Sequence, residues 1–568
     1  MNDKSAKAQY PWLKHYPADV DWHGAIDARP VFSMLDDTAA KYAGRPAFDF
    51  LGRKYNWGDI AGLVNCFAKG LQQDGVTKGI KIGLFLPNSP IFLIAYYAVL
   101  KAGGTVVNFN PLYAQSELAH QIEDSETDIM ITFDLEMLYG KMDKMLHNTR
   151  LRKLIVARFT ECLPFPKDKL FKLAKAKEIA EVRTGKRIAW MEDYLDNDGQ
   201  PETIEIDPRK DIALLQYTGG TTGVPKGAML THYNVYANTV QSLRWFADVK
   251  RGEQRMLGVL PFFHVFAMTA IMNLSVLAAL EIIALPRFDL ADTLKVIDKK
   301  KPHLFPAVPA IYNAINNSPK ARKHDLSSLL YCISGGAPLP VEVKKAFEDK
   351  TGCVVVEGYG LSESSPVACV NPLKGDNVPG SIGLPVPGTI IEIIDPADGK
   401  TPVALGERGE LCIRGPQVMA GYWKNEEDTN AALRPAGDGD KRLHTGDIAV
   451  MDERGYVFIV DRIKDMIITN GYNVYPRNIE EAIYKHPNVE ECVVAGLPDK
   501  QRGEIVKTWI KLKEGRELTA EDLKVFLEDK LSPMELPKRI EFRSEPLPKT
   551  MIGKLSRKDL LEQEKARK

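Results

Sequence analysis

Two architectures in series are predicted for this chain: a layered α/β fold with mainly parallel sheets, and a small α+β domain that closes it. Three observations carry the prediction. Between residues 80 and 309, short β-rich apolar runs alternate with helical stretches (81–86, 90–101 and 105–109, then 291–300 before 303–308), the pattern of strands joined by crossover helices. At 568 residues and 44% hydrophobic content, the chain is long enough to bury several cores. Beyond Asp461 the pattern changes to strands at 492–496 and 506–512 and a helix opening on Thr519-Ala520-Glu521-Asp522, a capping-box sequence. The boundaries expected are 1–461 and 462–568.

Within the first part, residues 91–100 form a fully apolar run about half as long as the roughly 20 residues a membrane span needs. Ser89 is placed to cap a helix, Pro90 to open it, and Gly103-Gly104 to stop it. A second run, 265–280, is interrupted by Asn273 and Ser275 and reads as a buried helix. Lys plus Arg (75) equals Asp plus Glu (75), which argues against a nucleic-acid partner. Seven scattered cysteines with no C-x-x-C spacing, and a polar N-terminus, point to a reduced cytoplasmic setting. One local bias stands out. Residues 150–187 hold twelve Lys or Arg against four acids, interleaved with apolar residues, a composition suited either to a solvated helical insert or to an anionic lipid surface.

The chemistry is organised around Thr218-Gly219-Gly220-Thr221-Thr222-Gly223-Val224-Pro225-Lys226-Gly227. Glycines free the backbone to wrap a ligand, while hydroxyls, N–H groups and an ammonium face anionic oxygens, so the stretch reads as a phosphate cradle. Residues 211–216 enter it as a strand. Pro225 and Gly227 oppose an immediate helix on the far side, which disfavours a Walker loop.

This loop resembles the signature of the adenylate-forming superfamily of acyl-CoA synthetases, luciferases and peptide-synthetase adenylation domains, with Gly219 where many members have Ser. Companion motifs follow along nearly the whole chain. The resemblance implies a large domain of two sheets with helices plus a small β-barrel-like part, ahead of the small α+β domain. Beside the cradle residues, it implies nucleotide contacts from Gly335, Gly336, Ala337 and Pro338 after a strand at 329–333, and from Glu357, Gly358, Tyr359, Gly360 and Ser362, with Tyr359 stacking on the base. Ser362 replaces the commoner Thr. Asp447 and Arg462 would hold the ribose, and Glu363 a magnesium ion. His264 would lie by the acyl carboxylate, with Phe263, Val265, Phe266 and Met268 lining the acyl pocket. Met268 stands where a characterised type of long-chain enzyme has a Trp gate.

By the same resemblance, Lys554 catalyses adenylation, Lys464 is the interdomain hinge, and Gly471 lies in the loop that admits CoA after the small domain swings. Met551-Ile552, beside Lys554, is bulkier than usual. The 14 residues after Lys554 leave no room for a carrier domain, and Tyr10-Pro11-Trp12-Leu13, Gly-Gly-Thr-Thr-Gly and Asp465-Met466-Ile467-Ile468 look most like bacterial long-chain fatty acyl-CoA synthetases. The expected activity joins a fatty acid to CoA through acyl-AMP, with Mg2+ as cofactor and ATP and CoA as substrates; a medium-chain synthetase or a fatty acyl-AMP ligase is the alternative. A peripheral seat on the inner membrane face and a homodimer are the further associations left open.

Overall fold

The computed structural model describes residues 10–218, 225–470, 472–499, 501–550 and 554–567. Four sheets organise them. An eight-stranded and a nine-stranded sheet, each with a parallel centre and antiparallel strands at an edge, form the α/β layers. The third is a five-stranded antiparallel sheet built from strands between Ile390 and Arg462, and the fourth a five-stranded sheet within 467–543.

The helix Pro90–Lys101 forms as its capping signals require, with Ser89 Oγ accepting from the Phe92 N–H at 3.2 Å. Ten of its twelve residues are buried, because it runs between the strands Lys81–Phe85 and Thr105–Asn108 beneath other helices. The run 265–280 is likewise buried and helical, but it changes pitch: a π-helical stretch, Met268–Asn273, separates α-helical turns at Val265–Ala267 and Leu274–Ala278. Such π-segments concentrate at functional sites. Among the described residues, no helix is long and apolar enough to cross a membrane. The seven cysteines are all free.

The strand Ile212–Thr218 enters the cradle, and the chain leaves it as the strand Lys226–Thr231, paired antiparallel to the first. The cradle sequence is therefore flanked by two paired strands, and no helix follows it directly. The helix His232–Trp245 starts only afterwards, with Thr231 as its cap.

The N-terminal Tyr10 and Trp12 stack at 4.7 Å, and Trp12 is buried against Gly455. A Cβ at Gly455 would stand 2.6 Å from Trp12, so this turn accepts only glycine.

Residues between Trp12 and Val457 share one core, whereas those between Ile467 and Leu560 form two of their own. The second pair follows from strand periodicity. Along Val489–Asp499, Cys492 and Val494 face the helices Pro476–Tyr484 and Ala520–Leu527, while Val493, Ala495 and Leu497 face the side covered by Leu560. The expected capping box at Thr519 is only half formed: Thr519 Oγ1 accepts from Asp522 N–H at 3.1 Å, but the Asp522 carboxylate takes the Thr519 hydroxyl rather than its N–H.

The basic segment is not one unit. Lys153–Ala157 is a sheet strand, the helix Lys167–Ala174 has no buried residue, and short turns and loops complete the segment.

Candidate active site

A cavity of about 690 Å3 opens where the eight-stranded, nine-stranded and antiparallel sheets meet the C-terminal segment. Its walls carry four cationic side chains, Lys226, Arg462, Lys464 and Lys554, and one carboxylate, Glu363. With water partly excluded, that imbalance makes the cavity attractive to a polyanion.

Strand pairing explains how two distant motifs meet. Asp447, on the strand Lys441–Met451, lies directly across from Arg462, on Val457–Arg462. The Arg462 Nε contacts Asp447 Oδ1 at 3.1 Å, and the Tyr359 hydroxyl donates to Asp447 Oδ2 at 2.5 Å. Burial first, and the neighbouring carboxylate second, hold the Tyr359 phenol far above its usual range, so it stays a donor. The turn before Asp447 is fixed from behind: Glu410 accepts from the Gly446 N–H at 2.9 Å and is joined to His444 Nδ1 at 2.7 Å. Tyr359 stands at the end of the strand Val354–Gly360, where a Cβ on Gly360 would lie 1.8 Å from the Pro366 carbonyl oxygen. Glycine lets the two chains touch.

Lys554 reaches this cluster from the last sheet's side of the molecule. The Thr550 N–H donates to its carbonyl at 2.6 Å, its own N–H donates to Thr550 Oγ1 at 3.1 Å, and Lys549 bridges Leu555. Burial, then the Arg462 charge, lowers the Lys554 ammonium to about 8, against an opposing pull from Asp447. His264 is lowered to about 4 by burial and then by Lys554, so its imidazole is neutral at neutral pH. Its Nδ1 accepts from the Phe266 N–H at 3.3 Å. Lys464, in the turn Ile463–Asp465, is lowered by burial and by Arg462.

On the opposite wall, Glu363 Oε1 accepts from the Tyr422 hydroxyl at 2.7 Å, and Lys226 Nζ pairs with Asp428 at 2.6 Å. Glu363 lines the cavity alongside the hydroxyl-bearing Ser362 and Thr218. This all-oxygen donor set suits a hard divalent cation such as Mg2+.

Comparison with known proteins sets this geometry in a family. Residues 35–423 match the model of the AMP-binding enzyme family and residues 478–554 that of the AMP-binding enzyme C-terminal domain. The chain belongs to the AMP-binding enzymes. A long-chain-fatty-acid–CoA ligase of Bacillus subtilis (strain 168) is 45% identical to it over 566 residues, covering 98% of this chain and 99% of the relative. The crystal structure of ATP-bound MatB from Rhodopseudomonas palustris superposes with a TM-score of 0.82 at 27% identity, covering 95% of this chain and 99% of that one. Apo MatB from the same organism, with the same coverage and identity, reaches 0.72. By this measure the described chain is nearer the ATP-bound MatB structure.

This AMP-binding enzyme gathers many of the residues expected from its sequence. Thr218, Lys226, Phe263, His264, Val265, Phe266, Gly335, Gly336, Gly358, Tyr359, Gly360, Ser362, Glu363, Arg462, Lys464 and Lys554 line the cavity, and Asp447 stands just behind Tyr359 and Arg462. Gly219, Gly220, Thr221, Thr222, Gly223 and Gly471 lie outside the described residues.

Four expected residues stand elsewhere. Met268, the first residue of the π-helical stretch, is fully buried, its sulfur 3.8 Å from Asn108 Nδ2. Glu357 is buried with its carboxylate accepting the Leu339 N–H at 3.2 Å; burial pushes it up to about 7, and it braces the turn that includes Ala337 and Pro338. Neither of those two lines the cavity. The flat ring resting on Gly335 is this chain's own Phe266, whose atoms would meet a Cβ there at 3.0 Å.

Sequence reading missed the polar wall of Asn108, Gln121 and Gln216, as well as Tyr422 and Thr445. Tyr422 comes from the two-residue strand Gly421–Tyr422, which pairs with Lys226–Thr231; nothing in its local sequence points to Glu363.

Proposed function

We propose that this protein is an ATP-dependent long-chain fatty acid–CoA ligase working in two half-reactions. The observation that carries the reading is the convergence of Lys554, Arg462, Asp447, Tyr359 and Glu363 on one cavity, in a chain 45% identical over 98% of its length to a long-chain-fatty-acid–CoA ligase. In the first half-reaction an oxygen of the fatty carboxylate attacks the α-phosphorus of ATP. The bond to the β-phosphate oxygen breaks, diphosphate leaves, and acyl-AMP forms. Two anions must approach, and the Lys554 ammonium, which lines the cavity, lowers their repulsion and stabilises the charge that builds between them. Asp447 accepts from the ribose hydroxyls with Arg462 beside it, and Lys226 with the adjoining cradle takes the β- and γ-phosphates. Neutral His264 serves as a hydrogen-bond partner for the acyl carboxylate without adding charge. Glu363, with Ser362 and Thr218 nearby, would hold Mg2+, which when bound supplies charge neutralisation for the departing diphosphate.

In the second half-reaction the CoA thiol attacks the acyl carbonyl carbon, the bond to the AMP phosphate oxygen breaks, and AMP leaves as the thiol proton passes to solvent. Lys554 occupies the cavity in the described arrangement, so this is the adenylating one. The unit beyond about residue 462 is read as a mobile domain that turns at Lys464 for the thiol step and brings up the Gly471 loop. Hydrocarbon contacts come from Phe263, Val265, Phe266, Val367 and Val370.

The test is CoA-dependent AMP production across saturated acids from acetate to stearate. Since each buried methylene contributes about 0.8 kcal/mol, kcat/KM should rise roughly fourfold per added carbon until the pocket is full. Equal rates with acetate and palmitate, or adenylate formation that ignores CoA, would overturn the assignment.

A further inference from the structure

Twelve large hydrophobic side chains are exposed among the described residues, and three of them, Phe165, Leu170 and Leu173, fall within nine positions. Phe165 is 81% exposed and Leu173 80%, so these are not core residues glimpsed at an edge. Leu170 and Leu173 stand three apart on the helix Lys167–Ala174 and share a face. That helix is held down by Phe171, whose ring packs on Phe159 at 5.2 Å, and by Lys167 Nζ donating to the Leu51 carbonyl at 2.8 Å. A helix this short is not stable by itself in water. Its anchor fixes it with leucines outward, whereas a merely solvated helix has no use for them.

The charges sort the same way. In the broader basic segment, Arg150 and Arg152 pair with Asp128 at 3.2 and 3.1 Å, Lys153 pairs with Asp74 at 2.5 Å, Arg187 donates to three carbonyl oxygens, and Arg158 lies 3.6 Å over the Trp190 ring. Those five serve the fold. From 165 to 177 all five lysines are exposed; Lys167 donates to Leu51 and Lys175 pairs with Glu178 at 2.5 Å, but Lys169, Lys172 and Lys177 have Asp168, 3.9 Å from Lys169, as the one acid within the stretch. Lysines beside outward apolar side chains can lay their methylenes along a lipid surface and raise their ammonium groups to the phosphates.

We propose that residues 165–177 dock this enzyme on an anionic lipid bilayer, with Phe165, Leu170 and Leu173 entering the interfacial layer and the flanking lysines meeting headgroup phosphates. The use of such a surface rests on the ligase reading, since a long-chain acid and its thioester partition into bilayers; the surface itself does not.

The experiment is sedimentation of the full chain with vesicles of phosphatidylcholine alone or mixed with phosphatidylglycerol, at low and high salt. The wild type is expected to bind the anionic vesicles at low salt and be largely released at high salt by screening. Phe165→Ser/Leu170→Ser/Leu173→Ser and Lys169→Gln/Lys172→Gln/Lys177→Gln should each weaken that partition by roughly tenfold or more, with octanoate turnover unchanged as the measure of folding. Equal binding to neutral vesicles, or undiminished binding by either triple variant, overturns the proposal. So does a change in sedimentation coefficient without lipid binding, which would make the patch an interface between copies of this chain. If wild-type protein binds lipid but turns over no acid, the ligase reading fails and the docking surface stands.

Discussion

At the residue scale, Lys554 shows how position sets chemistry. A lysine in water keeps its charge up to about pH 10, but here burial and Arg462 bring the ammonium down to about 8. The charged form is the one the proposed adenylation uses, and it is lost as pH rises through that value. We expect kcat/KM for acyl-adenylate formation to fall above about pH 8, and the corresponding limb of kcat to lie higher, because bound ATP favours the ammonium. Pyrophosphate exchange measured across pH checks both. Lys554→Ala should lower this half-reaction by about a thousandfold or more, while CoA still reacts with supplied acyl-AMP. The stability sign runs the other way. A lysine whose folded value is depressed weakens the fold below that value, and the penalty fades as pH rises towards the ordinary lysine range. Lys554→Met is therefore expected to raise the unfolding temperature of the ligand-free enzyme at pH 7 while eliminating adenylation. An unchanged or lower midpoint would show that the ammonium is not strained.

At the scale of elements, the turn Ile463–Asp465 has the most to do. It follows directly from the strand that holds Arg462 against Asp447 and precedes the strand Ile467–Thr469 of the last sheet. Arg557 spans the same junction, contacting Asp465 at 2.9 Å, Glu480 at 2.8 Å and Asp461 at 3.7 Å. The described orientation of the final unit places Lys554 in the cavity; under the proposed two-step mechanism the thiol step needs another, with backbone rotation near Lys464 as the proposed route between them. Lys464→Pro fixes φ near −65° and is expected to hold the described arrangement. Pyrophosphate exchange should persist while CoA-dependent turnover falls by roughly a hundredfold or more. Equal losses in both half-reactions would rule out alternation about this turn.

For the whole molecule, separate cores predict separate melting. Among the described residues the core of 12–457 shares no cluster with those of 467–560, and polar contacts such as those of Arg557 and the Arg477 N–H with Asp461, at 3.7 and 2.9 Å, join the two. Calorimetry of the ligand-free enzyme should show two transitions. ATP with a non-reactive fatty acid analogue should raise the lower one and draw the pair together, because a ligand spanning both units stabilises each only while they are docked. A single transition that ATP leaves unmoved would contradict a ligand site shared between them.

Local signals wrote much of this protein plainly. Ser89 and Pro90 opened a helix where the chain needed one, alternating apolar runs became parallel strands, and Pro225 with Gly227 turned the cradle's exit into a strand, because caps, fixed φ values and side-chain periodicity act within a few residues. The resemblance in motif likewise brought Asp447, Tyr359, Arg462 and Lys554 forward as residues of one site. What those signals could not reach were matters of three-dimensional direction. Met268 is buried in the core at the start of the π-helical stretch, the Glu357 carboxylate takes the Leu339 N–H, Phe266 lies against Gly335, and the basic segment divides into a strand with paired charges and an outward apolar helix. Each depends on which neighbour arrives from a distant part of the chain to bury, pair or displace the side chain. The sequence by itself therefore determined the elements and the chemical inventory, and packing between elements decided which members of that inventory face the cavity.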